Sequence, residues 1–266
     1  MKPYEYMNID VWGGEVSLRV RVAGSGPALV YLHPAGGLVW DAFLERLSDS
    51  YTVYSPEFPG TTPDDPYAVK KFDELQDVVY AYEEAIRKLG LTRPILVGQS
   101  FGGMLAAELS SVFPDLPSRL VILDAIGLWR DDVPVVNWNE LPATDMPALL
   151  FHDPQSAGAQ AMLRLPEDDE ERIKAMAAGV WTLGCTGKFV WPIPDLGLSK
   201  RLHRVSVPAL IIWGEHDRLV PVAYAGEFAK RIEGSRVCVI PHAGHIPQVE
   251  NLEPTLVATI DFLGAA

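Results

Sequence analysis

With 266 residues, the chain is long enough for one large domain, or for one domain carrying an insertion. A hydrophobic content of 48% with 21% charged residues belongs to an ordinary globular protein and excludes a disordered one. Acidic residues number 35 against 22 basic, and the net charge of -13 repels phosphate backbones and anionic membrane surfaces, so nucleic acid is excluded as a partner.

The first sixteen residues hold no apolar stretch of signal-peptide length, and no run of about 18 uncharged apolar residues occurs. A cytoplasmic location with no membrane span is therefore expected. In chain order, residues 16–22 (VSLRVRV) alternate like a half-exposed strand, and 28–32 (ALVYL) form a continuous apolar run suited to a sheet interior. Residues 52–55 form a shorter strand, closed by breaker-rich sequence. From 72 to 89, apolar residues recur at steps of three and four, which predicts an amphipathic helix stopped by Gly90. A buried strand at 95–97, a glycine-flanked turn, a nearly all-apolar helix over 101–113 and a strand at 120–123 follow.

The character changes between 126 and 200. Seven prolines punctuate this stretch, no strand of useful length appears, and four of the seven tryptophans fall there, Trp129, Trp138, Trp181 and Trp191. The acidic run 167–171 reads as the negatively charged start of a surface helix. Alternation then resumes, with strands at 209–213 and 236–240 and helices at 222–232 and 254–263. The expected architecture is α/β: a mostly parallel central sheet flanked by helices, with a core of 1–125 and 201–266 and a helical cap insertion at 126–200.

The segment Gly98-Gln99-Ser100-Phe101-Gly102 matches G-x-S-x-G between an apolar strand and an apolar helix, the setting of a nucleophile elbow. A turn that tight leaves no room for side chains at Gly98 and Gly102. A serine hydroxyl needs an adjacent base. His245 and His242 share the loop after the strand 236–240, at the sheet edge that carries Ser100, and spacing alone does not choose between them. The orienting carboxylate comes from Asp217 or its neighbour Glu215, after the strand 209–213, or from Asp124, after 120–123. The order Ser, Asp, His fits this architecture.

Taken together, GQSFGG after PILV, WGEHDRLVP after a strand and HAGHIPQVENLEP near the C-terminus resemble the α/β-hydrolase superfamily. The likeness covers the core on both sides of the insertion. Its pattern G-x-x-D-x-x-V-P points to Asp217, and G-H-x-P-x-x-E points to His245. The resemblance also implies a backbone oxyanion hole in the loop His33-Pro34-Ala35-Gly36-Gly37 and at the residue after the nucleophile. The donors are then Phe101 and Ala35, with Gly36 as the alternative because Pro34 stands where glycine is common.

A serine at the elbow, where family members that open epoxides or displace halides carry aspartate, implies an acyl-enzyme route. A carboxylesterase acting on small to medium, partly apolar esters is expected. The alternatives are carbon–carbon bond hydrolysis of ring-fission diketones, lactone or thioester hydrolysis, and acyl transfer. A non-catalytic receptor would be marked by a missing triad member, and all three residues are present. His33 is expected to brace its loop; it, Gln99, Trp129, Trp181 and Trp191 are the residues expected near the substrate. His216 beside Asp217, and His242 near His245, could be drawn as metal ligands. With no HExxH pattern and no third ligand at compact spacing, no metal and no cofactor is expected. Cys185 and Cys238 are expected as free thiols.

Overall fold

The structure, a computed structural model, describes residues 4–62 and 64–264. Strands β1 (Glu5–Val11) and β2 (Val16–Ala23) form an antiparallel hairpin, followed by β3 (Ala28–Leu32), helix α1 (Ala42–Leu47) and β4 (Thr52–Pro56). Helix α2 (Leu75–Lys88), β5 (Ile95–Gln99), α3 (Phe101–Val112) and β6 (Arg119–Leu123) complete the first half. After the helical stretch described below come β7 (Ala209–Gly214), a helix at Ala223–Ala229, β8 (Arg236–Ile240), and helices at Pro247–Glu250 and Leu252–Gly264. The eight strands lie in the order β1-β2-β4-β3-β5-β6-β7-β8. Only the pairings of β2, with β1 and β4, are antiparallel; the remaining neighbours are parallel.

Side-chain alternation divides the sheet between two cores. Val30, Leu32, Leu96, Leu120, Ile122, Ile211 and Trp213 face the layer containing α2 and α3. Their chain neighbours Leu29, Tyr31, Ile95, Val97, Val121, Leu123, Leu210 and Ile212 face α1 and the C-terminal helix. Period-two alternation with both faces apolar produces the continuous hydrophobic runs seen in the sequence.

Strand β1, helix α1 and the four-residue helix Pro247–Glu250 lie where no element was expected, and several helix boundaries move. β1 was not anticipated because six of its seven residues lie outside the buried class, leaving little apolar alternation to read. α1 has only six residues; Asp41 caps it, accepting the Leu44 N–H at 3.0 Å. α2 starts at Leu75 rather than 72, because Phe72 is extended and Glu74 and Asp77 form a capping box. The last helix begins at Leu252, not Pro254. Proline fits its first turn, where N–H groups have no intrahelical partner.

Between β6 and β7 the chain forms α4 (Met146–Leu150), α5 (Ala157–Leu163), α6 (Asp169–Gly187) and short 3-10 turns, with no strand. Three acidic residues do occupy the first turn of α6, and the Asp168 carboxylate accepts the Glu171 N–H. No described helix is long and apolar enough to cross a membrane. Both cysteines are free thiols.

Candidate active site

The parallel strands deliver the expected residues to one edge. Ser100 follows β5, Asp124 follows β6, Asp217 lies three residues beyond β7, and His245 five beyond β8. Ser100 has φ 56° and ψ −116°, a left-handed backbone that a non-glycine residue adopts only when its surroundings impose it. The imposing contacts are backbone bonds, Ser100 N–H to Leu123 O at 2.9 Å and Met104 N–H to Ser100 O at 3.1 Å. A Cβ on Gly98 would lie 2.1 Å from Gly102 O, and one on Gly102 would lie 1.9 Å from Leu32 O. Both glycines are therefore required by the turn.

Ser100 Oγ lies 2.9 Å from His245 Nε2, and His245 Nδ1 lies 2.8 Å from Asp217 Oδ2. All three residues are buried. The second oxygen of Asp217 accepts the N–H groups of Leu219 (2.9 Å) and Val220 (2.8 Å), which fixes its orientation. An imidazole whose Nδ1–H meets a carboxylate presents an unprotonated Nε2 to the serine hydroxyl.

Of the carboxylates and imidazoles left open by spacing, His245 meets the serine and Asp217 meets His245; His242 is exposed, and Glu215 lies beside it, with its Oε2 3.4 Å from the His242 backbone nitrogen. Asp124 sits behind the pair. It is fully buried, its Oδ1 accepts the Gly214 N–H at 2.8 Å, and one of its oxygens, one of Asp217 and a ring nitrogen of His245 lie within 4.8 Å of one another. Burial, then the charge of Asp217, pushes the Asp124 carboxyl well above the usual carboxylate range. Its Oδ2 is buried without a hydrogen-bond partner.

A cavity of about 240 Å³ opens over Ser100. Its floor is Pro34, Ala35, Gly36, Gln99 and His245, and its walls are apolar, with Trp138, Met146, Leu150 and Leu183 supplied by the segment between β6 and β7. Gln99 lines this cavity. It donates through Nε2 to His245 O at 2.8 Å, leaving Oε1 buried without a partner.

The expected tryptophans do not line this cavity. The Trp129 indole donates to Asp131, Trp181 to Gly60 O, and Trp191 packs edge-on against Trp138 at 4.9 Å. Trp138 is the one that reaches the cavity, which composition alone could not single out. His33 does not line it either. Its Nδ1 donates to Pro34 O (2.7 Å) and its Nε2 accepts the Phe58 N–H (3.0 Å), so it braces the loop that holds Ala35 and Gly36. Glu250, within the His245 motif, had no role in the sequence reading. Its carboxylate accepts the N–H groups of Gly244, His152 and Asp153, joining the histidine loop to the segment after α4.

Burial pushes the His33 imidazole down to about 4 from 6.5. The neutral ring is the folded form, so its contribution is complete above about pH 6.5 and is lost as pH falls through about 4. That shift corresponds to roughly 3 kcal/mol. Urea unfolding at a series of pH values from 7 to 4 is expected to show this component in the wild type and not in His33→Gln. An identical pH slope in the two proteins would exclude His33 as its source.

Residues 27–252 match the alpha/beta hydrolase fold family, and the chain belongs to it. It is 24% identical over 270 residues to the 2-hydroxy-6-oxo-6-phenylhexa-2,4-dienoate hydrolase of Burkholderia cepacia, covering 92% of this chain and 91% of that protein. With the pimeloyl-[acyl-carrier protein] methyl ester esterase of Nitrosomonas europaea it shares 26% identity over 244 residues, covering 87% and 93% respectively. The solved 2-hydroxy-6-oxo-6-phenylhexa-2,4-dienoate hydrolase of Rhodococcus sp. strain RHA1 superposes with a TM-score of 0.76 at 17% identity, over 99% of this chain and all of that one (100%).

Proposed function

We propose that this chain is a serine carboxylesterase acting through an acyl-enzyme on small to medium, partly apolar esters, with residues 126–200 as a helical cap over the site. The observation that carries the reading is the unbroken line from Ser100 Oγ through His245 to Asp217, with contacts of 2.9 and 2.8 Å, at the floor of a cavity.

In this mechanism Ser100 Oγ attacks the ester carbonyl while His245 Nε2 takes its proton. Asp217 holds the Nδ1–H tautomer and stabilises the imidazolium without accepting the proton. The developing oxyanion is held by backbone N–H groups of Phe101 and Ala35, with Gly36 as the alternative to Ala35. Phe101 is the first residue of α3, so its N–H has no intrahelical acceptor and is available for this task. His245 then protonates the leaving alcohol, and water activated by the same imidazole releases the acid.

The lining favours a neutral, partly apolar substrate. Among the described residues it includes Trp138, Met146, Leu150, Met162, Leu183, Leu219 and Ile246 but no arginine or lysine. A dienoate, the substrate class in the Burkholderia relative's name, would bring a carboxylate into that space without a cation to meet it, at a cost in desolvation. A panel of p-nitrophenyl acetate, butyrate and octanoate beside a ring-fission diketone tests the reading. Butyrate is expected to give the highest kcat/KM, with the diketone turned over at least about a hundredfold less efficiently, as a charge without a partner demands. Preferred turnover of the diketone would replace the esterase assignment with carbon–carbon hydrolysis.

A further inference from the structure

Three histidines outside the triad converge at the same edge of the sheet. His152 follows α4, His216 precedes Asp217 in the loop after β7, and His242 lies three residues before His245 in the loop after β8. One ring nitrogen from each lies within 4.8 Å of the other two. The His152 and His216 rings stack, with centroids 4.0 Å apart, and the His242 ring is 6.1 Å from that of His152. His152 Nδ1 is out of solvent contact and has no hydrogen-bond partner. Sequence spacing supplied only two of these ligands, because the third belongs to a distant segment that folding brings alongside.

We propose that His152, His216 and His242 form a binding site for a divalent transition-metal ion, with Zn²⁺ as the fitting ion. Three imidazole nitrogens suit zinc, which takes them at about 2.0–2.1 Å and so about 3.3 Å from one another; the present set, within 4.8 Å, reaches that geometry by side-chain rotations that turn the stacked His152 and His216 rings toward a common point. Water or the Glu215 carboxylate, whose Oε2 is 3.4 Å from His216 Nε2, completes a tetrahedron. With His152 Nδ1 as the ligating atom, the ion gives that nitrogen the partner it lacks. The surroundings suit a cation: Glu215 is at the site, Glu250 binds the backbone of His152, and the net charge is -13.

The segments around the site are already tied to one another. Glu250 bonds the backbone at 152, 153 and 244, and the His245 N–H donates to Leu150 O at 2.8 Å. An ion here pins the end of α4, whose Met146 and Leu150 line the cavity, to the loops that hold Asp217 and His245. Metal binding is independent of whether the cavity hydrolyses esters.

Equilibrium dialysis of the untagged full-length protein against ZnCl₂ tests the site. One Zn²⁺ per chain is expected, with affinity lowered about tenfold or more in each of His152→Ala, His216→Ala and His242→Ala. The surface control His203→Ala and the triad variant His245→Ala are expected to bind as the wild type does. Amide exchange over residues 146–152 is expected to slow on adding Zn²⁺ to the wild type and not to the His152→Ala variant. Absence of saturable binding below about 100 μM, far weaker than a three-imidazole zinc site, overturns the proposal. So does binding that survives all three substitutions, or that is lost only in His245→Ala, which would put the ion among Asp124, Asp217 and His245.

Discussion

Replacing Ser100 by alanine is expected to lower kcat on the best ester substrate by about a millionfold, the loss seen when a triad serine is removed. The fall should be in kcat with KM little changed, because the apolar walls that bind the substrate are untouched. Residual catalysis of about 10³–10⁴ over water should remain, since the backbone N–H groups proposed to hold the oxyanion do not depend on the hydroxyl. The substitution keeps the fold. The left-handed turn at residue 100 is imposed by backbone hydrogen bonds and by the approach of Gly98 to Gly102, none of which uses the side chain. An unchanged thermal midpoint beside the lost turnover separates chemistry from unfolding. Turnover within tenfold of the wild type would sink the assignment of Ser100 as nucleophile.

The second large effect concerns the choice between two carboxylates. Asp217→Asn is expected to lower kcat by about 10⁴-fold, through the wrong imidazole tautomer rather than through lost structure. The asparagine oxygen replaces Oδ1 in accepting from Leu219 and Val220, so its amide group faces His245 Nδ1 as a donor. Nδ1 must then accept, the proton moves to Nε2, and Nε2 no longer receives the proton of Ser100. Asp124→Asn should cost about tenfold or less. That residue holds the Gly214 N–H and lies behind Asp217, and burial and the neighbouring charge push its carboxyl well above the usual carboxylate range, toward the neutral form that asparagine mimics. Steady-state kinetics on the two variants and their double decide the matter. A greater loss in Asp124→Asn would transfer the orienting role to Asp124.

The parts of this site that were legible in the chain are those specified by neighbours in sequence. The elbow is an example: a serine between two obligatory glycines, entered by an apolar strand and left by an apolar helix, can be read because every constraint lies within a few residues. His33 could likewise be read as a brace, since its ring bonds the carbonyl of the next residue. The tryptophans could not be sorted in this way. Trp129, Trp138, Trp181 and Trp191 share one proline-broken stretch, and only the packing of that stretch sends Trp138 to the cavity and the other three elsewhere. β1 escaped notice because an edge strand with few buried side chains carries little period-two signal.

Sequence alone determined the strand–helix alternation, the turn that carries Ser100 and the chain order of serine, acid and base, because each follows from local periodicity, chain order or the steric needs of glycine. The tertiary structure decided which of two imidazoles meets the serine and which of three carboxylates meets that imidazole, which side chains wall the cavity, and that His152 joins His216 and His242. Those outcomes depend on distances between segments far apart in the chain. Such distances arise only when strands align in a sheet and their C-terminal loops gather at one edge, and no pattern of neighbouring residues encodes them.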